Sequence, residues 1–410
     1  MKIPFALPLI DQDVVDEMMD TLTNTGWLTS GPKVKALEDE VVRYTGAPKA
    51  LCVNSWTSGA MLMLRWFDVQ PGDEVIIPAY TYSATALCAM NIGAIPVMVD
   101  INDDFNIAVE KIAAAVTPKT KAIMPVDLGG WPCDYDEIKT VLESPEVKAK
   151  FTPASKRQEQ LGRVLIIADA AHSIGATYKG KKAGILTDVT IFSFHSVKNV
   201  TTGEGGAICL NLPDSFNIDE EYQFLKYFLL NGQTKSAFEK NKVGGWRYDI
   251  VAQGLKVNMP DLCAAVGLAQ IKKYDAYMLP ERKKIFEQYN EAFKQHDWAE
   301  LPPFDNELKT SSYHLYPLRI KGITEQERDE IIQIASEKGV GLNVHYIPMA
   351  MLTLFKSKGY NIEDYPNTYK NYVKEISLPI YNKLTEQHVQ YVIDNIVNAY
   401  HLTKKVKLEV

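Results

Sequence analysis

The chain has no excess of basic residues: 44 Lys and Arg stand against 51 Asp and Glu, a net charge of -7, with both signs interspersed along most of its length. A protein that tracks a phosphate backbone needs a basic stripe, so nucleic acid is not an expected partner. Cysteine is scarce as well. The five, Cys52, Cys88, Cys133, Cys209 and Cys263, are odd in number, far apart and mostly set in apolar runs, which matches neither a disulfide framework nor a zinc spacing. Buried free thiols in a reducing compartment are expected, and no metal site. No apolar run reaches the roughly 18 residues that a membrane helix requires. The short apolar patch in "MKIPFALPLIDQD" is broken by two prolines and ended by acids, so a cytoplasmic protein with no membrane partner is expected. Internal repeats and low-complexity tracts are missing too. What remains is a globular chain of 410 residues, long enough for more than one domain.

Short runs rich in Val and Ile recur at "ALCVN", "EVIIPA", "IPVMVDI", "KAIMPV", "VLIIADA" and "VTIFSF", separated by segments long enough for helices. Continuous apolar strands alternating with helices predict an α/β fold whose mostly parallel sheet is covered on both faces. Ligands of such sheets bind beyond the carboxyl ends of the strands. The alternation weakens after residue 265, so a large domain is expected over 1–265 and a smaller C-terminal α+β domain over 266–410. Within the smaller one, strands are predicted at "HLYPLRI" and "LNVHYI" and a helix at "TEQHVQYVIDNIVNAY". The stretch "GLAQIKKYDAYMLPERKKIFEQYNEAFKQH" has amphipathic helical spacing broken by Pro280. The polar insertion over 143–163 reads as an extended helix and loop, with no role legible in it.

Three strand ends carry reactive or anion-binding residues. In "CVNSWTSGAMLML" a strand passes through Asn54, Ser55, Trp56 and Thr57 into an apolar helix. Free N–H groups there suit a phosphate, while Ser55 and Thr57 equally suit a plain helix cap. Asp169 ends the strand of "LIIADAAHSIGA", three residues before His172. A carboxylate at that depth needs a partner, and both a capping and a functional role are open for it. Lys198 stands in "SFHSVKNVTTGEGG" among Ser, His, Thr and Gly, between two apolar runs. A desolvated lysine is a nucleophile toward carbonyls; alone, it would read as a snorkelling side chain. Phosphate site, aspartate and lysine together are the parts that hold pyridoxal phosphate.

Over nearly its whole length the sequence resembles the DegT/StrS family of sugar aminotransferases, pyridoxal phosphate enzymes of the aspartate aminotransferase fold type I. The resemblance is carried by "GWLTSGPKVKALEDEV", "PGDEVIIPAYTYSATA", "ADAAHSIGA", "MPDLCAAVGLAQI" and above all "FSFHSVKN" followed by "GEGG". It implies that Lys198 forms the Schiff base and that Asp169 pairs with the pyridine nitrogen. It further implies that Tyr82 stacks on the ring, that His172 lies near the ring hydroxyl, and that Ser55, Trp56, Thr57 and Ser193 surround the phosphate. "GLKVN" resembles the form of a loop that enters the neighbouring subunit's site, which implies a homodimer with Lys256 and Asn258 acting in trans. That form resembles members that aminate 4-keto nucleotide sugars, such as UDP-4-amino-4-deoxy-L-arabinose aminotransferase. His345, in "VHYIP", is expected near the sugar, with an ordinary strand histidine as the alternative. Trp56 replaces a small residue usual before the threonine. Asp127 and Gly129 replace a usual His and aromatic residue, and are expected near the substrate mouth.

The activity implied is transfer of the amino group of L-glutamate, leaving 2-oxoglutarate, through the pyridoxamine phosphate form to a 4-keto or 3-keto deoxy sugar. Cyclitol ketones and sugars without a nucleotide are alternatives. Relatives that remove a sugar hydroxyl carry His where this chain has Lys198, which argues against deoxygenation. A scaffold that keeps the cofactor without turnover is the alternative from another class.

Overall fold

Seven short runs of Val, Ile, Leu and Ala form the central sheet. The computed structural model describes residues 1–406; residues 407–410 of the expected C-terminal domain lie outside it. The strands are β1 (Lys49–Val53), β2 (Glu74–Pro78), β3 (Ile95–Val99), β4 (Thr120–Ile123) and β5 (Leu165–Asp169). A short hairpin of β6 (Thr177–Tyr178) and β7 (Lys181–Lys182) intervenes before β8 (Val189–Ser193) and β9 (Gly206–Leu210). The sheet order is β1-β9-β8-β5-β4-β2-β3. Neighbours from β8 through β3 are parallel, whereas β9 runs antiparallel to both β8 and β1. The segment joining β8 to β9 contains no helix, and a parallel return needs a crossover of a dozen or more residues, usually helical. A reversed strand is the outcome, and it brings the start of β9 to the sheet end where the parallel strands finish.

Both faces are covered because successive strand residues point to opposite sides. Leu51, Val53, Ile191, Ile208 and Leu210 join the core on one face, with α-helical Ala60, Met63 and Leu64. Ala50, Cys52, Phe192, Ala207 and Cys209 join the other, with Leu37, Val41, Ala264 and Ile271. Each large apolar side chain buried in this way contributes about 1.5–3 kcal/mol. The helices that bear on the site are α1 (Gln12–Asp20), α2 (Pro32–Thr45) and α3 (Trp56–Trp66). Cys52, Cys88, Cys133 and Cys209 are buried free thiols and Cys263 is half-buried.

A second sheet joins β10 (Ala299–Glu300), β12 (Tyr316–Ile320) and β13 (Glu375–Leu378), with β11 (Lys309–Thr310) pairing instead with β6. Its core includes Phe286, Tyr289, Tyr316, Leu318, Ile376 and Ile396, and Ile3 from the far end of the chain. The helix expected at "TEQHVQYVIDNIVNAY" forms as Glu386–Val406. Three expectations need correction. The "LNVHYI" strand is reduced to a single bridge, Asn343 to Ser377, and Asn343, Val344, His345 and Tyr346 line the cavity described below. The amphipathic stretch begins inside a small-residue helix, Asp261–Ile271, that is buried on nearly all sides; Pro280 lies in the first turn of the next helix, Leu279–Phe293. The 143–163 segment is two short helices, Pro145–Lys150 and Lys156–Leu161, each capped by a serine. It is anchored by buried Val147 and Phe151 and by Gln158 donating to Phe67 O at 2.8 Å. No helix among the described residues is long and apolar enough to cross a membrane.

Candidate active site

The carboxyl ends of the strands surround a cavity of about 600 Å³. Ser55, Trp56, Thr57, Tyr82, Asp169, His172, Ser193, Lys198 and His345 all line it, so residues as far apart as 55 and 345 are brought together. Sheet register explains part of this: Val53 and Ser193 both pair with Gly206 across the reversed strand, and Asp169 pairs with Ile191.

Lys198 sits in the turn after β8, half-buried, and no described protein group hydrogen-bonds its amine. Burial pulls the amine down to about 8, against the opposing pull of Asp169. Its neighbour Asn199 is fixed by Tyr274 OH at 2.9 Å, Ser312 O at 2.8 Å and His314 Nδ1 at 2.8 Å, so the backbone that carries the lysine is held rigidly. Asp169 is 4% exposed. Its Oδ2 accepts from Thr85 Oγ1 at 2.9 Å and its Oδ1 from Ala171 N at 3.2 Å. Burial raises this carboxyl to about 7, with those two donors and the Lys198 charge working the other way. No helix follows Asp169 within hydrogen-bonding range of a cap, so the capping alternative falls away.

Ser55 caps α3, accepting from Ser58 N at 3.1 Å, and lines the cavity as well; the two readings of this segment coexist. The N–H groups of Trp56 and Thr57, in the first turn of α3, have no intrahelical acceptors, and both residues line the cavity with Ser193. Gly206 makes the close approach possible: a Cβ there would meet Phe192 O at 2.6 Å and Trp56 N at 3.1 Å. Trp56, which lines the cavity, has its Nε1 buried without a protein partner, a state that calls for a partner such as a bound ligand or water.

His172 is buried, and its neutral form is strongly favoured by burial and by the Lys198 charge. Gly129 N donates to its Nδ1 at 3.2 Å, so the proton lies on Nε2, which faces Tyr346 OH at 3.1 Å. Tyr82 is 61% exposed, its ring 5.7 Å from that of Tyr346, and so offers a free aromatic face. Asp127 is not at the mouth as expected. It is buried and its oxygens accept from Ser173 Oγ, Tyr135 OH and Cys133 N, a structural role. Lys256 and Asn258 do not line this cavity either. They hydrogen-bond to each other, and Asn258 Nδ2 donates to Ser30 Oγ at 2.6 Å.

Thr85, His314, Asn343 and Tyr346 are lining residues that the sequence reading missed. Thr85 stands one helical turn beyond Tyr82 in "TYSAT", and Tyr346 is next to His345 in "VHYIP", so their spacing was an available signal. Among the described residues no cluster of His, Cys, Asp and Glu could hold a metal ion. The donor set fits pyridoxal phosphate instead: an unpaired amine, a buried carboxyl and a hydroxyl-lined helix start within one cavity.

Comparison with known proteins agrees with this chemistry. The chain is 35% identical over 402 residues to the spore coat polysaccharide biosynthesis protein SpsC of Bacillus subtilis, covering 96% of each. It superposes on the apo-form of Spr1654 from Streptococcus pneumoniae, classed with sugar aminotransferases, with a TM-score of 0.94 and 39% identity over 99% of this chain and 100% of that one. The PLP-form and PMP-form of the same protein match with a TM-score of 0.93. PseC of Helicobacter pylori shares the fold, with a TM-score of 0.84 at 24% identity over 98% of this chain and 100% of that one. The DegT/DnrJ/EryC1/StrS aminotransferase family profile matches residues 9–150 and 153–397. With the lysine, the carboxyl and the helix start in one cavity, the chain belongs to that family and is a pyridoxal-phosphate-dependent aminotransferase.

Proposed function

We propose that this enzyme moves the amino group of L-glutamate to the keto carbon of a nucleotide-linked deoxy sugar, at C4 with C3 as the second choice, for the synthesis of a cell-surface polysaccharide in the cytoplasm. The observation that carries the sugar assignment is one wall of the cavity. His314, Asn343, His345 and Tyr346 converge there from the C-terminal part of the chain, a set of donors and acceptors suited to hydroxyl groups. The likeness to SpsC, named for spore coat polysaccharide biosynthesis, supports a polysaccharide sugar.

Bound pyridoxal phosphate supplies an electron sink for the carbanion left when the donor loses its α proton. Lys198 Nζ would hold the cofactor aldehyde until the donor's amine displaces it, and the freed amine would take and return the proton, first at the α carbon of glutamate and then at the carbon of the sugar that was the ketone. Asp169 would keep the ring nitrogen protonated, His172 and Tyr346 would meet the ring hydroxyl, and Tyr82 would offer its exposed ring to stack on the cofactor. Ser55, Trp56, Thr57 and Ser193 hold the phosphate.

Lys256 and Asn258 act in the partner copy of a homodimer. Support comes from their position outside their own cavity and from the neighbouring segment, where Val243, Trp246, Tyr248, Ile250 and Val251 are exposed. An apolar patch of that kind marks an interaction surface.

The test is a panel of UDP-, GDP- and dTDP-linked keto sugars, incubated with glutamate and holoenzyme and read for 2-oxoglutarate and amino sugar. Amination of a 4-keto or 3-keto member supports the reading. Amination only of free sugars or cyclitol ketones would replace it.

A further inference from the structure

His345 reaches the cavity from a segment that is pinned to β13. Its backbone N donates to Glu375 Oε2 at 3.0 Å, and its ring Nδ1 lies 2.8 Å from Ser377 Oγ. Ser377 Oγ in turn donates to Glu375 Oε1 at 2.5 Å. Ser377 and Glu375 are both fully buried. The ring is also clamped by aromatic neighbours, with Phe5 at 5.3 Å and Tyr346 edge-on at 4.9 Å.

With Glu375 ionised, the three bonds have one consistent proton assignment. A serine hydroxyl has a single proton, and here it goes to the carboxylate. Ser377 Oγ is then left to accept, so His345 Nδ1 must donate. A neutral imidazole with its proton on Nδ1 presents a bare lone pair at Nε2, and Nε2 has no protein partner among the described residues. Burial and the Lys198 charge hold the ring neutral.

We propose that Glu375 and Ser377 are positioning residues that fix His345 as a hydrogen-bond acceptor for a hydroxyl of the sugar substrate, next to the keto group that is aminated. This rests on the sugar reading above. It sets a rule for the substrate: an alcohol is recognised at this point, and a deoxy or O-alkylated position is disfavoured because the acceptor would be left unpaired.

Glu375→Gln provides an unusually sharp test. The side-chain oxygen must stay on His345 N–H, so the amide NH₂ faces Ser377 Oγ and donates to it. Ser377 must then donate to Nδ1, and the ring proton moves to Nε2. The acceptor becomes a donor with almost no change in shape. Ser377→Ala is the second variant; it removes the lock and leaves both tautomers accessible.

Burial raises the Glu375 carboxyl to about 8, against the hydrogen bonds from Ser377 and His345 N–H and the nearby Arg328 and Arg319. The measurements are therefore made at about pH 9, where an acid of that strength is ionised. The first readout is ¹⁵N NMR of histidine-labelled holoenzyme without sugar. Nδ1 is expected to be the protonated nitrogen of His345 in the parent protein and Nε2 in Glu375→Gln. The second readout uses the panel sugar that the parent aminates fastest. KM for that sugar is expected to rise roughly tenfold in both variants, the loss of one neutral hydrogen bond, while the half-reaction with glutamate keeps its rate.

A parent His345 protonated on Nε2 would overturn the proposal. So would variants in which the glutamate half-reaction slows as much as the sugar one, because the role would then be merely structural. Because the tautomer is read without sugar, failure of every sugar in the panel would count against the function assigned above and not against the relay.

Discussion

Asp169 at the end of β5 and Lys198 just beyond β8 share one desolvated field, and each opposes the effect of burial on the other. The amine falls to about 8 in spite of the carboxylate, and the carboxyl rises to about 7 in spite of the ammonium. Desolvation outweighs their mutual attraction, so near neutral pH roughly a tenth of the amine is free base and about half of the carboxyl is protonated. That makes the lysine nucleophilic and leaves the carboxyl ready to ionise when a cationic ring nitrogen arrives.

The rate at which apoprotein captures pyridoxal phosphate should follow the neutral fraction of Lys198. Below a pKa of about 8 that fraction falls tenfold per unit of pH, so capture should slow roughly tenfold between about pH 7 and pH 6 and level off above about pH 9. Stopped-flow absorbance at fixed cofactor concentration checks this. A rate that is flat across the range would contradict the assignment of a depressed amine.

Asp169→Asn should stop turnover and yet stabilise the apoprotein. The carboxyl's folded pKa of about 7 exceeds its unfolded value of about 3.9, so its contribution to stability is full below about pH 4 and is lost as pH rises through 7. Removing the ionisable group should gain on the order of 4 kcal/mol at neutral pH, read as a higher Tm. The gain should vanish near pH 4.

Thr85→Val removes the donor to Asp169 Oδ2 while keeping the shape. The loss of a hydrogen bond to a charged group, about 1.5–3 kcal/mol, should lower kcat about tenfold or more and push the Asp169 carboxyl further up. The alkaline shift of the pH–rate profile separates this from simple loss of fold.

Gly206→Ala places a methyl against Phe192 O and Trp56 N. The start of α3 must move away from the sheet, and cofactor affinity should fall by at least about tenfold, since displacements of about 1 Å at such sites are costly. Equilibrium dialysis with pyridoxal phosphate measures it.

If Lys256 acts in trans, mixing Lys198→Ala with Lys256→Ala should restore activity. One in four sites in a randomly mixed dimer pool carries both parent residues, so about a quarter of parental activity is expected. Mixed dimers that stay inactive would place Lys256 in the site of its own chain, and a Lys256→Ala homodimer that is active would place it outside the chemistry.

The buried part of this fold was legible because β strands covered on both faces write themselves as runs such as "VLIIADA", and the reactive groups follow directly at Asp169 and Lys198. The reversal of β9 was not, since "AICLNL" has the same composition as its parallel neighbours and only the absence of a crossover helix from the connection marks its direction. Asp127 misled because a charged residue after a strand resembles a site residue. Three donors that satisfy it, Ser173, Tyr135 and the Cys133 N–H, lie up to 46 residues away. The "LNVHYI" segment has strand composition, but it is held to β13 through one bridge at Asn343 and through the Glu375 side chain at His345 N, with the cavity beside it. The Glu375–Ser377–His345 chain joins residues 30 and 32 positions apart, a relation that no local spacing records.

The most direct measurement is the near-visible absorption spectrum of the purified holoprotein, before and after glutamate, beside Lys198→Ala. The account predicts a cofactor band that glutamate bleaches and a keto sugar restores in the parent protein, and a variant that binds cofactor but cannot cycle. Steady-state transamination by Lys198→Ala, or a parent protein that stays colourless when supplied with pyridoxal phosphate, would contradict it.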